Sequence, residues 1–259
     1  GASLEEQIAG LLHDASHSAF SHVVDWVVGN PLRENFQDDE FLNFIENSEI
    51  SSILQKNGFN YKDICDFERF SLLEKEAPDI CADRFDYTMR EIKDFYDEDS
   101  FNFILKGVIN HNNEIIFNSL KAAELFSNEY ARLQREHWGS NEAKARYHVL
   151  AEIIKRGIDL RIISLEDIKK GTDYFIISKL IDSGDEEIIN KFNLLKEGFY
   201  LENAKEGILL QKKFRYVNPK ALHEGNFERV SYFSKQYNDL LKREKVNSVK
   251  MEVVSIHPR

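Results

Sequence analysis

Proline occurs only four times in 259 residues, and glycine twelve times. Between those few breaks the apolar residues recur at helical spacing, so long helices are favoured. Leu4, Ile8, Leu11 and Leu12 follow this rule behind a capping box offered by Ser3 and Glu6, and the first helix should run into His13-Asp14. A second helix is expected over Ser18–Val28, ended by Gly29-Asn30-Pro31. Helical patterns follow over 40–47, 51–56 and 67–76, and Pro78 suits the start of a helix reaching Phe95. Ile104–Ile109 and Glu114–Phe117, joined by Asn110-His111-Asn112-Asn113, read as a β-hairpin. Ser119–Glu136 is a strong helix with Ala122, Phe126, Tyr130 and Leu133 on one stripe, and further helices are expected over 142–156, 165–169, 172–182 and 186–196. After Gly198 the pattern changes: 208–217 and 249–256 read as strands flanking a helix over 230–245. The expectation is a mainly α helical body over residues 1–200, with a short hairpin, and a small basic α+β C-terminal subdomain over 201–259.

Hydrophobic content of 42% and aromatic content of 12% suit a globular chain with a full core. No apolar run approaches the roughly 20 residues of a membrane span. Glu5, Glu6 and the histidines that follow are wrong for a signal peptide, so a soluble cytoplasmic protein is expected, with no membrane partner. Cys65 and Cys81 show no metal-type spacing and read as reduced, partly buried thiols. The net charge of −11 argues against a nucleic-acid backbone as partner. That charge is uneven: residues 201–259 hold 12 Lys+Arg against 7 Asp+Glu, a net of +5 that leaves −16 on the rest. This tail, with Lys212, Lys213 and Arg215, either binds an anionic ligand or partner, or is a plain solvated surface.

Two stretches carry chemistry. In LLHDASHSAFSH, Leu11–His22, three of the eight histidines stand within ten residues, with Asp14 beside His13 and Asp25 just beyond. Imidazole and carboxylate are both good ligands for divalent cations of the Mn, Fe, Zn or Mg kind. His17 lies four residues after His13, on a similar face if the helix continues. A lone histidine on an apolar face is usually a core residue, but three with two aspartates mark a metal or phosphate site. In ADRFDYTMRE, Ala82–Glu91, a helix puts Asp83, Tyr87 and Glu91 on one stripe, with Phe85 and Met89 packed inward. Alone, that stripe also fits a surface helix bearing ion pairs.

Together, His13-Asp14 and Asp83 in its A-D-R-x-D-Y setting resemble the HD-domain metal-dependent phosphohydrolases. The first stretch is similar to the H-D-x-x-H-x-x-F-S-H version found in the deoxynucleoside triphosphate triphosphohydrolase branch. The resemblance covers Ser3–Leu133 well and the rest only in general layout. It implies an HD-domain helical bundle and a divalent metal ion (Mn, Fe, Zn, Mg or Ni) held by His13, Asp14 and Asp83. It also implies a nucleotide or other small phosphorylated substrate and assembly as a homo-oligomer. His17 would be the catalytic histidine; His22 and Asp25 would contact phosphate or hold that histidine. Arg84 would be a phosphate contact, and Tyr87 and Glu91 would lie near the sugar. Tyr130 would either stack on a base or, more plainly, be buried.

Two departures stand out. The family's first metal-binding histidine precedes the HD pair by some tens of residues, whereas only twelve residues precede His13 here. Either an upstream segment supplies that ligand, which the capping-box start favours, or the site has three protein ligands. A second family histidine has no counterpart in Glu34–Asp39, where Gln37 stands and cannot carry a proton at neutral pH. The expected reaction is hydrolysis of a (deoxy)nucleoside triphosphate with release of tripolyphosphate. The alternatives are hydrolysis of another phosphoester (a nucleoside monophosphate, a cyclic nucleotide or an alarmone) and a non-catalytic nucleotide-binding module. The sequence contains no phosphate-binding glycine loop of the G-x-x-x-x-G-K-S/T or G-x-G-x-x-G type, and no G-x-S-x-G elbow. His111, His137, His148, His223 and His257 have no evident ligand partners in sequence.

Overall fold

The computed structural model describes residues 1–29, 36–95, 97–210, 213–248 and 251–259, with backbone alone for 37–39. In chain order the first helices are α1 (Leu4–Leu12), α2 (Val23–Val27), α3 (Phe36–Glu46), α4 (Glu49–Lys56), α5 (Tyr61–Ile64), α6 (Ala82–Phe95) and α7 (Glu98–Gly107). The hairpin strands β1 (Val108–His111) and β2 (Glu114–Phe117) lead into α8 (Leu120–Leu133) and a π-helical turn at Gln134–Trp138. Then come α9 (Asn141–Asp159), α10 (Leu165–Lys170), α11 (Asp173–Asp182) and α12 (Glu186–Glu197). The last elements are β3 (Phe199–Leu210), β4 (Lys220–His223), β5 (Asn226–Arg229), α13 (Val230–Phe233), α14 (Lys235–Ser248) and β6 (Glu252–Pro258). The fold is mainly α with small sheets, as the sequence pattern requires.

The chain divides into two compact units that interleave in sequence. One comprises Gly1–His13, Leu54–Ser140 and Lys213–Lys250; the other comprises Asp14–Ile53, Asn141–Lys212 and Met251–Arg259. This partition differs from an expected boundary at residue 200. The tail is shared because its strands pair with different elements: β4 lies parallel to β2, with Ala221 opposite Phe117, while β6 runs antiparallel along β3.

In the first unit, a sheet of order β1-β2-β4-β5 packs with α6, α7, α8 and α14. Ile92, Ile104, Phe117, Phe126, Leu133 and Tyr237 are completely or almost completely buried there. The stripe expected on α8 is inward, and Tyr130 is 2% exposed, which answers for its packing role. Asn112 and Asn113 both take left-handed φ values, 52° and 60°, which a two-residue hairpin turn of the right twist needs. In the second unit, Val24, Ile153, Ile154, Ile168, Ile176 and Leu180 form a core between α2, α9, α10 and α11. Gly198, with φ 91°, stops α12 and releases the chain into β3.

Several local expectations change. The box at the start of α1 is half made: Ser3 Oγ accepts from the Glu6 amide at 3.1 Å, but the Glu6 carboxylate turns inward. It accepts from the amides of Leu72 and Leu73 at 2.7 and 3.1 Å, because two buried donors without a partner cost more than one exposed donor. Those amides are free for Glu6 because the helix expected over 67–76 is only a short 3₁₀ turn at Phe67–Arg69. The second helix shrinks to α2 because Phe20 and Ser21 have φ of 61° and 45°, which no right-handed helix accommodates. Its expected end at Asn30-Pro31 lies outside the described residues. The helix after Pro78 starts only at Ala82, and Ile104 belongs to α7 rather than to the hairpin. The helix expected over 230–245 divides into α13 and α14. The strand expected over 208–217 contributes only its first three residues, to β3; Lys212 and Val249 lie outside the described residues. Among the described residues no helix is long and apolar enough to cross a membrane.

Candidate metal centre

The first half of the site sits where α1 stops. His13 is the residue after its last turn, and its Nδ1 lies 2.7 Å from the carbonyl oxygen of Gly10. A carbonyl only accepts, so Nδ1 carries the proton and Nε2 presents its lone pair. Nε2 points at Asp83 Oδ1, 3.3 Å away. Asp83 reaches it from the first turn of α6, 70 positions further along the chain. A neutral imidazole nitrogen and a carboxylate oxygen repel at this distance unless a proton or a cation lies between them. The donor set therefore fits a divalent cation. His13, its peptide neighbour Asp14 and Asp83 form a group able to hold one, each offering one ligand atom.

The start of α6 is built to fix Asp83. Cys81 Sγ accepts from the Arg84 amide at 3.4 Å, closing the first turn as a serine or aspartate cap does. Arg84 Nη1 donates to the carbonyls of Lys75 and Asp79 at 3.0 and 2.8 Å and lies 3.4 Å from Cys81 Sγ. The guanidinium thus ties down the loop that leads into the helix, a task its sequence setting does not reveal. Burial pushes the Cys81 thiol above its ordinary range. Glu74, Cys81 and Asp83 bring ligand atoms within 4.8 Å of one another, but the two Arg84 donors on the sulfur oppose a cation there.

Further along α6, Tyr87 and Glu91 follow Asp83 on one stripe, while Met89 is buried and Phe85 stacks on Phe126 at 5.4 Å. The Tyr87 hydroxyl lies 3.4 Å from that of Tyr130, and both rings meet Trp138 edge-on at 5.1 and 5.6 Å. Burial raises the Tyr87 phenol well above its ordinary pKa, so it stays a neutral hydrogen-bonding group.

The remaining motif residues gather in the second unit. His17 Nε2 lies 3.2 Å from Asp14 Oδ1, and His17 Nδ1 lies 3.2 Å from Ser21 Oγ. The rings of His17 and His22 meet at 72° with centroids 5.7 Å apart. Asp25 is 1% exposed; its Oδ2 stands 3.9 Å from His22 Nδ1, and its Oδ1 accepts from the Phe36 amide at 3.3 Å. His13 and His17 do not share a helix face as their spacing predicted, because the helix ends between them. The turns of 13–22 bring the motif residues into contact instead. The Gln37 side chain lies outside the described residues.

Sequence reasoning missed Gly10, whose carbonyl sets the His13 tautomer, and Ser21, which faces His17. Ser21 sits inside the motif and was open to notice; a backbone carbonyl gives no sequence signal.

No family model matches the sequence. The uncharacterised protein YdhJ of Bacillus subtilis is 34% identical over 244 residues, which covers 91% of this chain and 74% of YdhJ. The metal-dependent phosphohydrolase cns2 of Cordyceps militaris is 36% identical over 95 residues, 37% of this chain and 27% of cns2. Among solved structures, a hypothetical protein from Aquifex aeolicus superposes with a TM-score of 0.65 at 18% identity, over 98% of this chain and 76% of its own. A phosphohydrolase from Bacteroides thetaiotaomicron superposes with a TM-score of 0.63 at 16% identity, over 98% and 79%. These two likenesses show the fold. The chain belongs to the same family as YdhJ.

Proposed function

We propose that this protein is a metal-dependent phosphohydrolase acting on a nucleotide, and that its substrate is a (deoxy)nucleoside triphosphate cleaved to nucleoside and tripolyphosphate. The observation that carries the metal-dependent part is the approach of His13 Nε2 to Asp83 Oδ1 at 3.3 Å with the Nδ1 proton engaged elsewhere. The similarity to cns2 supports phosphate chemistry, and the H-D-x-x-H-x-x-F-S-H form of the motif supports the triphosphate.

His13, Asp14 and Asp83 would hold a divalent cation, which neutralises phosphate charge and acidifies a bound water. His17 carries protons in this reading. Its contacts with Asp14 and Ser21 fix the ring. His22 has the buried Asp25 carboxylate behind it at 3.9 Å, and its side chain is 41% exposed, which leaves the ring open to a phosphate oxygen in solvent. Arg84 Nη1 serves the loop, and a phosphate contact falls to its other nitrogens. Tyr87 and Glu91 offer a hydroxyl and a carboxylate for the sugar. Tyr130 lies behind Tyr87 and backs it.

The test is elemental analysis of the purified protein, with the same sample assayed against a nucleotide panel for tripolyphosphate. Near-stoichiometric metal with tripolyphosphate release is the expected result. Metal with orthophosphate release instead moves the substrate to another phosphoester. No metal after reconstitution, with nucleotide binding retained, replaces the enzyme by a binding module.

A further inference from the structure

The turn that carries Ser21 is held by helices far along the chain, within the same unit. The Ala19 amide donates to the Ile168 carbonyl at 2.9 Å, and the Phe20 amide donates to Asp173 Oδ1 at 2.8 Å. Ile168 lies on α10, and Asp173 is the first residue of α11, 153 positions after Phe20. Two successive amides are therefore clamped where the backbone enters an unfavourable conformation. Phe20 and Ser21 hold φ of 61° and 45°, a region a bulky residue keeps only when surrounding contacts impose it. Asp173 is not needed to cap its own helix, because Thr172 Oγ1 does that by accepting from the Phe175 amide at 3.3 Å.

The clamped turn delivers Ser21 Oγ to His17 Nδ1 at 3.2 Å, while His17 Nε2 faces Asp14 Oδ1 at 3.2 Å. An ionised carboxylate only accepts. The neutral ring therefore keeps its proton on Nε2, and Nδ1 accepts from the Ser21 hydroxyl.

We infer that Asp173 is a positioning residue for His17. By accepting the Phe20 amide it holds the left-handed Phe20–Ser21 turn, and that turn sets the direction of the His17 ring. The catalytic consequence rests on the reading of His17 as proton carrier; the placement of the ring does not.

The experiment is long-range ¹H–¹⁵N NMR of the histidine rings in the full chain at about pH 8, where an unperturbed imidazole is neutral. His17→Gln assigns the His17 signals. The wild type is expected to show a single Nε2–H tautomer for His17. Asp173→Asn keeps an acceptor oxygen and is expected to keep that pattern. Asp173→Ala and Ser21→Ala are expected to move the His17 ring resonances, as the ring loses its fixed direction, with unchanged metal content. In both, kcat should fall about tenfold with KM held within about twofold, the split of an interaction used in turnover rather than in binding. A wild-type pattern in Asp173→Ala overturns the inference. Should that variant not fold, an unchanged His17 pattern in Ser21→Ala overturns it alone. If no phosphoester is hydrolysed, the functional reading fails while the His17 ring resonances still decide this one.

Discussion

His13 Nε2 stands 3.3 Å from Asp83 Oδ1 while Nδ1 is engaged by the Gly10 carbonyl, so with a neutral ring the two atoms face each other lone pair to lone pair. The arrangement asks for positive charge between them. Asp83→Asn replaces that demand with a hydrogen bond, since the amide NH₂ can donate to Nε2. The variant is expected to fold, to melt no lower than the metal-free wild type, and to bind divalent metal more than about 100-fold more weakly, beyond the range for outer-shell partners. Metal titration with thermal melting of both proteins checks this.

Asp14 and His17 separate ligand from proton carrier. Asp14→Ala is expected to lose metal and hydrolysis together. His17→Ala is expected to keep metal content while kcat falls by about 10²–10⁴, the usual worth of a positioned acid or base. Metal lost from His17→Ala would make His17 a ligand instead. Elemental analysis beside steady-state kinetics gives both numbers from one preparation.

The Glu6 carboxylate accepts two buried amides, from Leu72 and Leu73. Glu6→Ala leaves both without an acceptor and is expected to cost about 2–6 kcal/mol, at about 1–3 kcal/mol for each stranded group. Glu6→Gln keeps one acceptor oxygen and is expected to cost about half as much. Urea unfolding followed by circular dichroism measures the difference.

Asp167 and Asp185 set an acid limit on the second unit. Hydrogen bonds from Ser164 and then Lys179 hold the Asp167 carboxyl down to about 2, and hydrogen bonds from Arg156 and then the Ile188 amide hold Asp185 at about 2. A carboxyl depressed on folding contributes stability above its ordinary value of 3.8, and that contribution is lost as pH falls through about 2. Melting temperature should therefore drop across this window, and Asp167→Asn should drop less steeply. Both carboxyls are only partly buried, with side chains 26% and 18% exposed, so solvent screening keeps the effect small. Scanning calorimetry between pH 2 and pH 5 checks the slopes.

The helical fold was legible because apolar spacing reports directly which face is buried, and α8 shows this residue by residue. The two motif stretches were legible because three of only eight histidines crowd into Leu11–His22, and His13-Asp14 and Asp83 stand in a specific order. What stayed hidden depends on tertiary partners. The left-handed Phe20–Ser21 turn cuts a helix that periodicity supports, and its restraint comes from Ile168 and Asp173. Glu6 reads as a capping residue until Leu72 and Leu73 claim it. The hold of Arg84 Nη1 on the carbonyls of Lys75 and Asp79 was likewise hidden, because its partners are backbone atoms.

The interleaving of the two units has a temporal side. The unit that contains His13 needs Lys213–Lys250 to complete its sheet, and the unit that begins at Asp14 needs Met251–Arg259 for β6. A ribosome releases chain at about 5–20 residues per second, so the HD pair spends roughly 10–40 s outside the exit tunnel before either unit can close. Throughout that interval the imidazoles and carboxylates of the motif are exposed to cellular metal ions before the partner on α6 is locked in place. On the proposed reading, loading with a cation is thus open to competition during synthesis, and the metal recovered with the purified protein is expected to reflect the medium in which the cells grew.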